Sequence, residues 1–166
     1  RSIYQSIYCL LAIVAVVASS VASASTLAQQ RQMYMDARHA LATGKHQKFN
    51  VLAEQLKEYP LYPYLQYEEL RRRISSAPEK DIRGFLVNFS YVPVADLIRS
   101  DWLNVLMKRG QHVSFQQYYV PNNNSAHQCF DMQARMLSGD APQAALEAEK
   151  LWLVGTSQPE QCDPIF

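Results

Sequence analysis

Residues 37–56 read ARHALATGKHQKFNVLAEQL, and residues 134–152 read ARMLSGDAPQAALEAEKLW. Each begins Ala-Arg, passes a Leu and a Gly, and continues into a second segment with apolar residues at helical spacing. In the first, Phe49, Leu52, Ala53 and Leu56 sit at i, i+3, i+4 and i+7, which places them on one stripe of an α-helix. In the second, Ala144, Ala148, Leu151 and Trp152 sit at i, i+4, i+7 and i+8. Helix, tight turn, helix is thus written twice. The recurrence is degenerate and lacks the full tetratricopeptide consensus, so it speaks for paired helices and says little about a ligand.

The same spacing extends outward from these segments. Ile82, Phe85, Leu86 and Phe89 repeat i, i+3, i+4, i+7, and Ile98, Trp102, Val105 and Leu106 repeat i, i+4, i+7, i+8. Tyr34, Ala37 and Leu41, and Phe130, Ala134 and Leu137, are shorter versions. About eight helices are expected, with no convincing strand. Ser76 with Glu79 and Ser125 with Gln128 have the spacing of a reciprocal helix-start cap, and Asp140 with Gln143 is similar. Gly44, Gly110 and Gly139 each follow a helical pattern, where glycine takes the left-handed turn that ends it. Short helices on short loops can bury their stripes only against sequence neighbours. The expected fold class is all-α, an α-solenoid or superhelix of antiparallel helix pairs with tetratricopeptide-like packing.

With 166 residues, the chain has room for one domain. Sixteen cations against 15 carboxylates leave a net charge of +1, without the cationic surplus that a nucleic-acid backbone demands. A hydrophobic fraction of 48% suits a packed core rather than a disordered chain. The chain starts at Arg1 and stops at Phe166 after an apolar Ile165, so both ends read as cut and the whole as a fragment.

Between Arg1 and Arg31 there is no charge, and the apolar run CLLAIVAVV, from Cys9 to Val17, precedes Ser19, Ser20 and the small-residue series Ala22-Ser23-Ala24. A positive end, a greasy centre and small residues form an export signal, with cleavage expected after Ala24. Residues 1–24 are then a signal peptide and residues 25–166 the superhelical domain. The rival is an uncleaved membrane anchor, disfavoured because the second half of the stretch is Ser and Ala. Tyr8 stands where a lipidated Cys9 would want a small residue. After cleavage, contact with a membrane ends, and 15 cations face 15 carboxylates. Cys129 and Cys162 remain, a candidate disulfide in an exported chain, the alternative being two buried free thiols.

Little else carries chemistry. His39, His46, His112 and His127 are scattered, the nearest pair seven apart, and the two cysteines are far from each other, so no metal-ligand spacing arises. There is no G-x-S-x-G elbow and no glycine cluster to cradle a phosphate. No cofactor is expected. Glu68 and Glu69 are adjacent and diverge by about 100° on a helix, which prevents them from flanking one substrate atom; Arg72 and Arg73 stand four residues on as ion-pair partners. Glu147 and Glu149 occupy the outer side of an Ala-rich helix. The unusual segment is YPLYPYLQYEEL, Tyr59 to Leu70, with Tyr59, Tyr62, Tyr64 and Tyr67 spaced around Pro60 and Pro63. These rings are candidates either for stacking on sugars or for wedging helix pairs apart, and packing is the commoner use of aromatics at helical spacing.

At YPLYPYLQY the sequence resembles the amino-terminal region of the soluble lytic murein transglycosylases. LWLVGTSQPEQCDPIF, Leu151 to Phe166, is similar to that family's segment ending in a helix, a turn and a Cys-Asp pair, and Cys129 and Cys162 are placed like its cysteine pair. The resemblance covers roughly Thr26 to Phe166 and is loosest from Asn88 to Asn124. It implies a periplasmic enzyme with an amino-terminal α-superhelix shaped into a ring and a lysozyme-like catalytic domain at the carboxyl end. The family's catalytic glutamate lies in a Glu-Ser pair; no Glu here is followed by Ser, so no catalytic residue is carried over. The implied reaction cleaves the bond between N-acetylmuramic acid and N-acetylglucosamine of peptidoglycan, leaving 1,6-anhydro ends. The chain is then expected to be a scaffold meeting glycan strands together with its own catalytic domain. The alternative is a freestanding periplasmic helical-repeat adaptor that binds proteins or peptidoglycan; a weaker third is a carbohydrate-binding module built on the tyrosines.

Overall fold

The computed structural model describes residues 26–166. The expected signal peptide over residues 1–24 lies outside the described residues. Among the described residues there are eight α-helices, a closing 3-10 turn and no strand. Helix α1 covers residues 26–42, followed by α2 (His46–Gln55), α3 (Tyr62–Arg72), α4 (Glu79–Asn88), α5 (Val94–Lys108), α6 (His112–Tyr118), α7 (Ser125–Leu137) and α8 (Ala141–Trp152), with the 3-10 turn at Glu160–Ile165. The chain is all-α. Where the sequence suggests one domain over residues 25–166, the packing resolves two compact units, one ending at Gln66 and one beginning at Tyr67.

The first unit is built on the stripes read from the sequence. Ala37, Ala40 and Leu41 of α1 meet Phe49 and Ala53 of α2, with Leu56, Tyr59 and Leu65 completing the buried set and Met33, Tyr34, Leu52 and Tyr62 packed against it. Between α2 and α3 the backbone advances in steps of three: Leu56 N–H donates to Ala53, Tyr59 to Leu56 and Tyr62 to Tyr59, at 3.1, 2.8 and 2.8 Å. A three-residue period stacks Leu56, Tyr59 and Tyr62 on one side. Pro60 falls between two of these donors and Pro63 in the first turn of α3, so their missing N–H groups cost no hydrogen bond.

The second unit packs sequence neighbours on each other: α4 on α5, α5 on α6, α6 on α7, α7 on α8, and the 3-10 turn back on α7. This is how a solenoid buries its faces. Its centre is Phe115, fully buried, with Phe130 at 4.9 Å and His127 at 6.0 Å, both edge to face, while His112 stacks on Phe130 at 4.3 Å. The Cys129 and Cys162 sulfurs are bonded at 2.01 Å with Cα atoms 5.0 Å apart, tying the 3-10 turn to α7. Met132, Ala144 and Ala148 are buried around the bridge.

Three hairpins share one turn. Gly44, Gly110 and Gly139 have φ of 71°, 65° and 100°. The amide after each glycine bonds five residues back, Lys45 to Ala40, Gln111 to Leu106 and Asp140 to Arg135, at 2.8, 3.0 and 2.9 Å. The glycine amides bond three residues back, to Leu41, Met107 and Met136. This pair of bonds satisfies carbonyls that a helix end otherwise orphans and permits the next helix to start at once.

Several local expectations fail. Ser76 does not cap α4; its hydroxyl donates to the Arg73 carbonyl at 3.2 Å, and Pro78 opens the helix with φ −61°. Glu79 and Asp81 instead supply negative charge to the first turn. Ser125 is already helical, and the cap is Asn124, whose side chain accepts from His127 N–H. Asp140 holds the cap position without a side-chain bond to the amides of α8. Leu137 and Trp152, placed on buried stripes by their spacing, are 74% and 63% exposed, while Met136 and Leu151, one residue earlier in each helix, pack against the core.

A Cβ at Gly110 meets nothing within 4 Å, so Gly110→Ala isolates the backbone cost and should lower unfolding stability by about 1 kcal/mol in urea melts. Replacing Cys129 and Cys162 together with Ala opens a loop spanning 33 residues. In the chain-entropy picture it should cost roughly 3 to 4 kcal/mol by the same measurement; an unchanged midpoint would contradict this.

Candidate functional site

The tyrosines do not form one exposed platform. Tyr59 is 7% exposed with its ring 5.7 Å from Tyr34 inside the first unit, and Tyr62 lies against the same core, where burial pushes its hydroxyl pKa up against the opposing effect of Lys57. Tyr64 is half-buried. In the second unit Tyr67 is also half-buried, and the Arg71 guanidinium sits 5.8 Å from its ring centroid. Glu69 pairs with Arg73 at 2.6 Å as its spacing predicts, and Arg73 reaches on to Asp81 at 2.7 Å, joining α3 to α4.

The polar features that sequence spacing did not single out lie along α7. His127 is 1% exposed, and its Nε2 lies 2.9 Å from Asn104 Oδ1 of α5. Burial lowers its pKa, which keeps the ring neutral near pH 7. It lines an open cleft of about 510 Å³ with Asp96, Arg99, Ser100 and the loop Asn122 to Asn124. A second cleft, about 580 Å³, runs between α7 and α8 and holds Asp131, Arg135, Glu147 and Lys150.

Arg135 organises the second cleft. One guanidinium nitrogen lies 3.1 Å from Asp131, another 3.4 Å from Asp140, and Glu147 closes on it from α8 with two oxygens. Its Nε is buried and makes no well-aligned hydrogen bond, so the Asp131 contact is ionic rather than directional. Glu147, expected on an outer face, therefore turns into a charge pair across the hairpin. The hydrogen bonds from Arg135 hold the Glu147 carboxyl below its ordinary pKa. Asp131 goes the other way: burial, joined by the nearby Glu147 charge, raises its pKa against the lowering by Arg135. The cleft thus holds two carboxylates driven apart in acidity, with both Glu147 oxygens bonded to the arginine and Asp131 Oδ2 lying against its Nε. The arrangement clamps α7 to α8. Asp131 and Arg135 are four apart in sequence, a visible signal; the Glu147 partner became apparent only with the turn at Gly139. Among the described residues no group of three or more His, Cys, Asp or Glu is placed to hold a metal ion, and no helix is long and apolar enough to cross a membrane.

No protein-family model matches the chain. In sequence it is 31% identical over 150 residues to the soluble lytic murein transglycosylase of Escherichia coli, and 29% identical over 148 residues to that of Salmonella typhimurium. These alignments cover 89% and 88% of this chain and 23% of each relative. Among solved structures, an inactive mutant of lytic transglycosylase Slt from Pseudomonas aeruginosa aligns with a TM-score of 0.74 at 35% identity, over 81% of this chain and 22% of that one. The 70 kDa soluble lytic transglycosylase of Escherichia coli aligns with the same TM-score at 28% identity, over 83% and 22%. A further match is the 70 kDa enzyme in complex with bulgecin A. The chain is therefore similar in sequence and in fold to a segment of the soluble lytic murein transglycosylases, and it spans less than a quarter of the length of the relatives it matches.

The two acidities have opposite signs in a pH profile. Glu147, with its folded pKa lowered, stabilises above its unfolded pKa, and that contribution fades as pH falls through the folded value. Asp131, with its folded pKa raised, weakens the fold above that value, and the penalty is relieved on acidification. Glu147→Gln should lower stability at pH 7 by about 0.5 kcal/mol, after allowing for solvent screening, and flatten the acid limb. Asp131→Asn should raise stability at pH 7 and lose that gain in acid. Thermal melts from pH 4 to 8 read both, and the reverse ranking at pH 7 would refute the assignment.

Proposed function

We propose that this chain is the amino-terminal scaffold of an exported, periplasmic lytic transglycosylase that cleaves peptidoglycan, with the catalytic group in a domain outside these 166 residues. The observation that carries the reading is the match over 89% of the chain to enzymes of that name, at 31% identity. The bond between Cys129 and Cys162 supports an oxidising compartment, and residues 1–24 supply the matching export signal, cleaved after Ala24. Peptidoglycan glycan strands are the substrate and the catalytic domain is the intramolecular partner.

The reaction we assign to the whole protein breaks the link between N-acetylmuramic acid and N-acetylglucosamine without consuming water. One carboxylic acid suffices. It protonates the leaving oxygen, then takes the proton of the sugar's own 6-hydroxyl as that oxygen attacks, and the intramolecular nucleophile acts at high effective molarity. No second carboxylate is needed, so the engaged Asp131 and Glu147 are consistent with a structural part of such an enzyme. The helix stack would hold the catalytic domain and limit which strands reach it, and Tyr59, Tyr62, Tyr64 and Tyr67 would serve as packing.

Purified cell-wall sacculi should be incubated with the complete polypeptide encoded by the gene, and the products analysed by mass spectrometry. Muropeptides with 1,6-anhydro ends are expected. Products with free reducing ends would replace the proposed reaction with hydrolysis, and no products at all would favour a non-catalytic periplasmic adaptor.

A further inference from the structure

The cleft around Arg135 engages its own polar groups, whereas the open cleft of about 510 Å³ beside α5 leaves several unengaged. Asp96, Arg99, Ser100 and Leu103 follow i, i+3, i+4, i+7 along α5, so one side of that helix forms a wall. The loop opposite is fixed by its own bonds. Asn122 donates to the Val120 carbonyl at 3.0 Å and accepts from Asn124 N–H at 2.9 Å, while the Asn124 side chain accepts from His127 N–H. Asn123 stands between them, exposed, and its side-chain amide makes no hydrogen bond among the described residues.

Two further groups carry unused capacity. Arg99 Nε lies 3.9 Å from Asp96 Oδ1, too far for a hydrogen bond, and the guanidinium donates to the Tyr118 carbonyl at 3.3 Å, which leaves most of its N–H groups for a ligand. His127 lines the cleft from α7, and its Nε2 carries the proton toward Asn104 Oδ1. Burial keeps the ring neutral, so Nδ1 is an acceptor, with no hydrogen-bond partner among the described residues. These groups select by charge. A bare anion meets Asp96 and the Nδ1 lone pair, and a cation meets Arg99. A neutral group that donates to His127 and accepts from Arg99 meets neither objection, and Leu103, Val120 and Pro121 offer apolar surface to a small apolar end of it.

We propose that this cleft is a binding site for a secondary amide next to a methyl group. His127 Nδ1 accepts the amide N–H, Arg99 donates to the carbonyl oxygen, Asn123 adds a hydrogen bond from the loop, and the apolar side chains receive the methyl. An acetamido sugar and an alanyl peptide both present that chemistry. The assignment stands without the enzyme reading; under it, the N-acetyl sugars of the proposed substrate are one source of the group.

Nuclear magnetic resonance of the 166-residue chain, with histidine rings and asparagine side chains labelled, reads the site directly. Triacetylchitotriose and N-acetyl-alanyl-alanine amide are the probes, and chitotriose without its acetyl groups is the control. At least one probe should shift the His127 ring and the Asn123 amide saturably in the millimolar range, and a response to one probe alone identifies the source as sugar or peptide. Arg99→Met should weaken that binding about tenfold. Asn123→Ala, at an exposed position, should weaken it about fivefold and leave the melting temperature unchanged. Unmoved His127 and Asn123 signals with both probes would overturn the proposal. So would an equal response to the control, whose ammonium groups Asp96 attracts, or undiminished binding by both variants. Assaying the complete polypeptide on sacculi separates the two readings: sugar release with a silent cleft keeps the enzyme and removes this site, and binding without sugar release does the reverse.

Discussion

A glycine at positive φ followed by an amide that bonds five residues back is the constraint on which the hairpins depend. It closes one helix and allows the next to begin after a single residue, at His46, His112 and Ala141. With so short a link the second helix has nowhere to lie except along the first. The turn also sets the register: five residues after each glycine is a buried side chain, Phe49, Phe115 or Ala144, and seven before it another, Ala37, Leu103 or Met132. Local backbone geometry thereby dictates which stripes meet, and burial of those stripes supplies the energy.

That arrangement explains why chemistry is sparse. Each helix spends its inward face on a neighbour, and the polar groups that enter the packing are consumed there. His127 is held by Asn104 and kept neutral; Arg135 is shared by three carboxylates; the Tyr118 hydroxyl donates to Glu79, whose carboxyl the Arg83 guanidinium keeps acidic. These are joints between helices. The helices so joined are similar in sequence and in fold to a segment of the soluble lytic murein transglycosylases.

The helical class and the stripes are legible because periodicity is local, and Gly44, Gly110 and Gly139 read as helix ends from the sequence. Only two of the three hairpins were recognised as a repeat, because the segment around Gly110 lacks the Ala-Arg start that the other two share, and sequence similarity is blind to an equivalent backbone. Helix starts were less legible. Ser76 and Ser125 have the right spacing for a cap, but a hydroxyl also satisfies itself on a carbonyl behind it, and Asn124 competes one residue earlier. The exposed Trp152 and Leu137 show that a stripe's spacing says which residues align, not where the neighbouring helix ends. The Glu147 partnership required the turn that brings α8 back on α7. The prolines and tyrosines of the YPLYPY run are visible in the sequence, but its three-residue hydrogen-bonded stepping came only with the backbone.

If stability passes mainly between neighbouring helices of the stack, loosening one end must fade with distance from it. Native-state hydrogen exchange, measured before and after reduction of the Cys129–Cys162 bond, tests that most directly. Amides of the 3-10 turn and α8 should speed up most, those of α7 less, and those of α4 least. An equal acceleration in α4 and α8 would mean that the second unit opens as one body and would contradict the account.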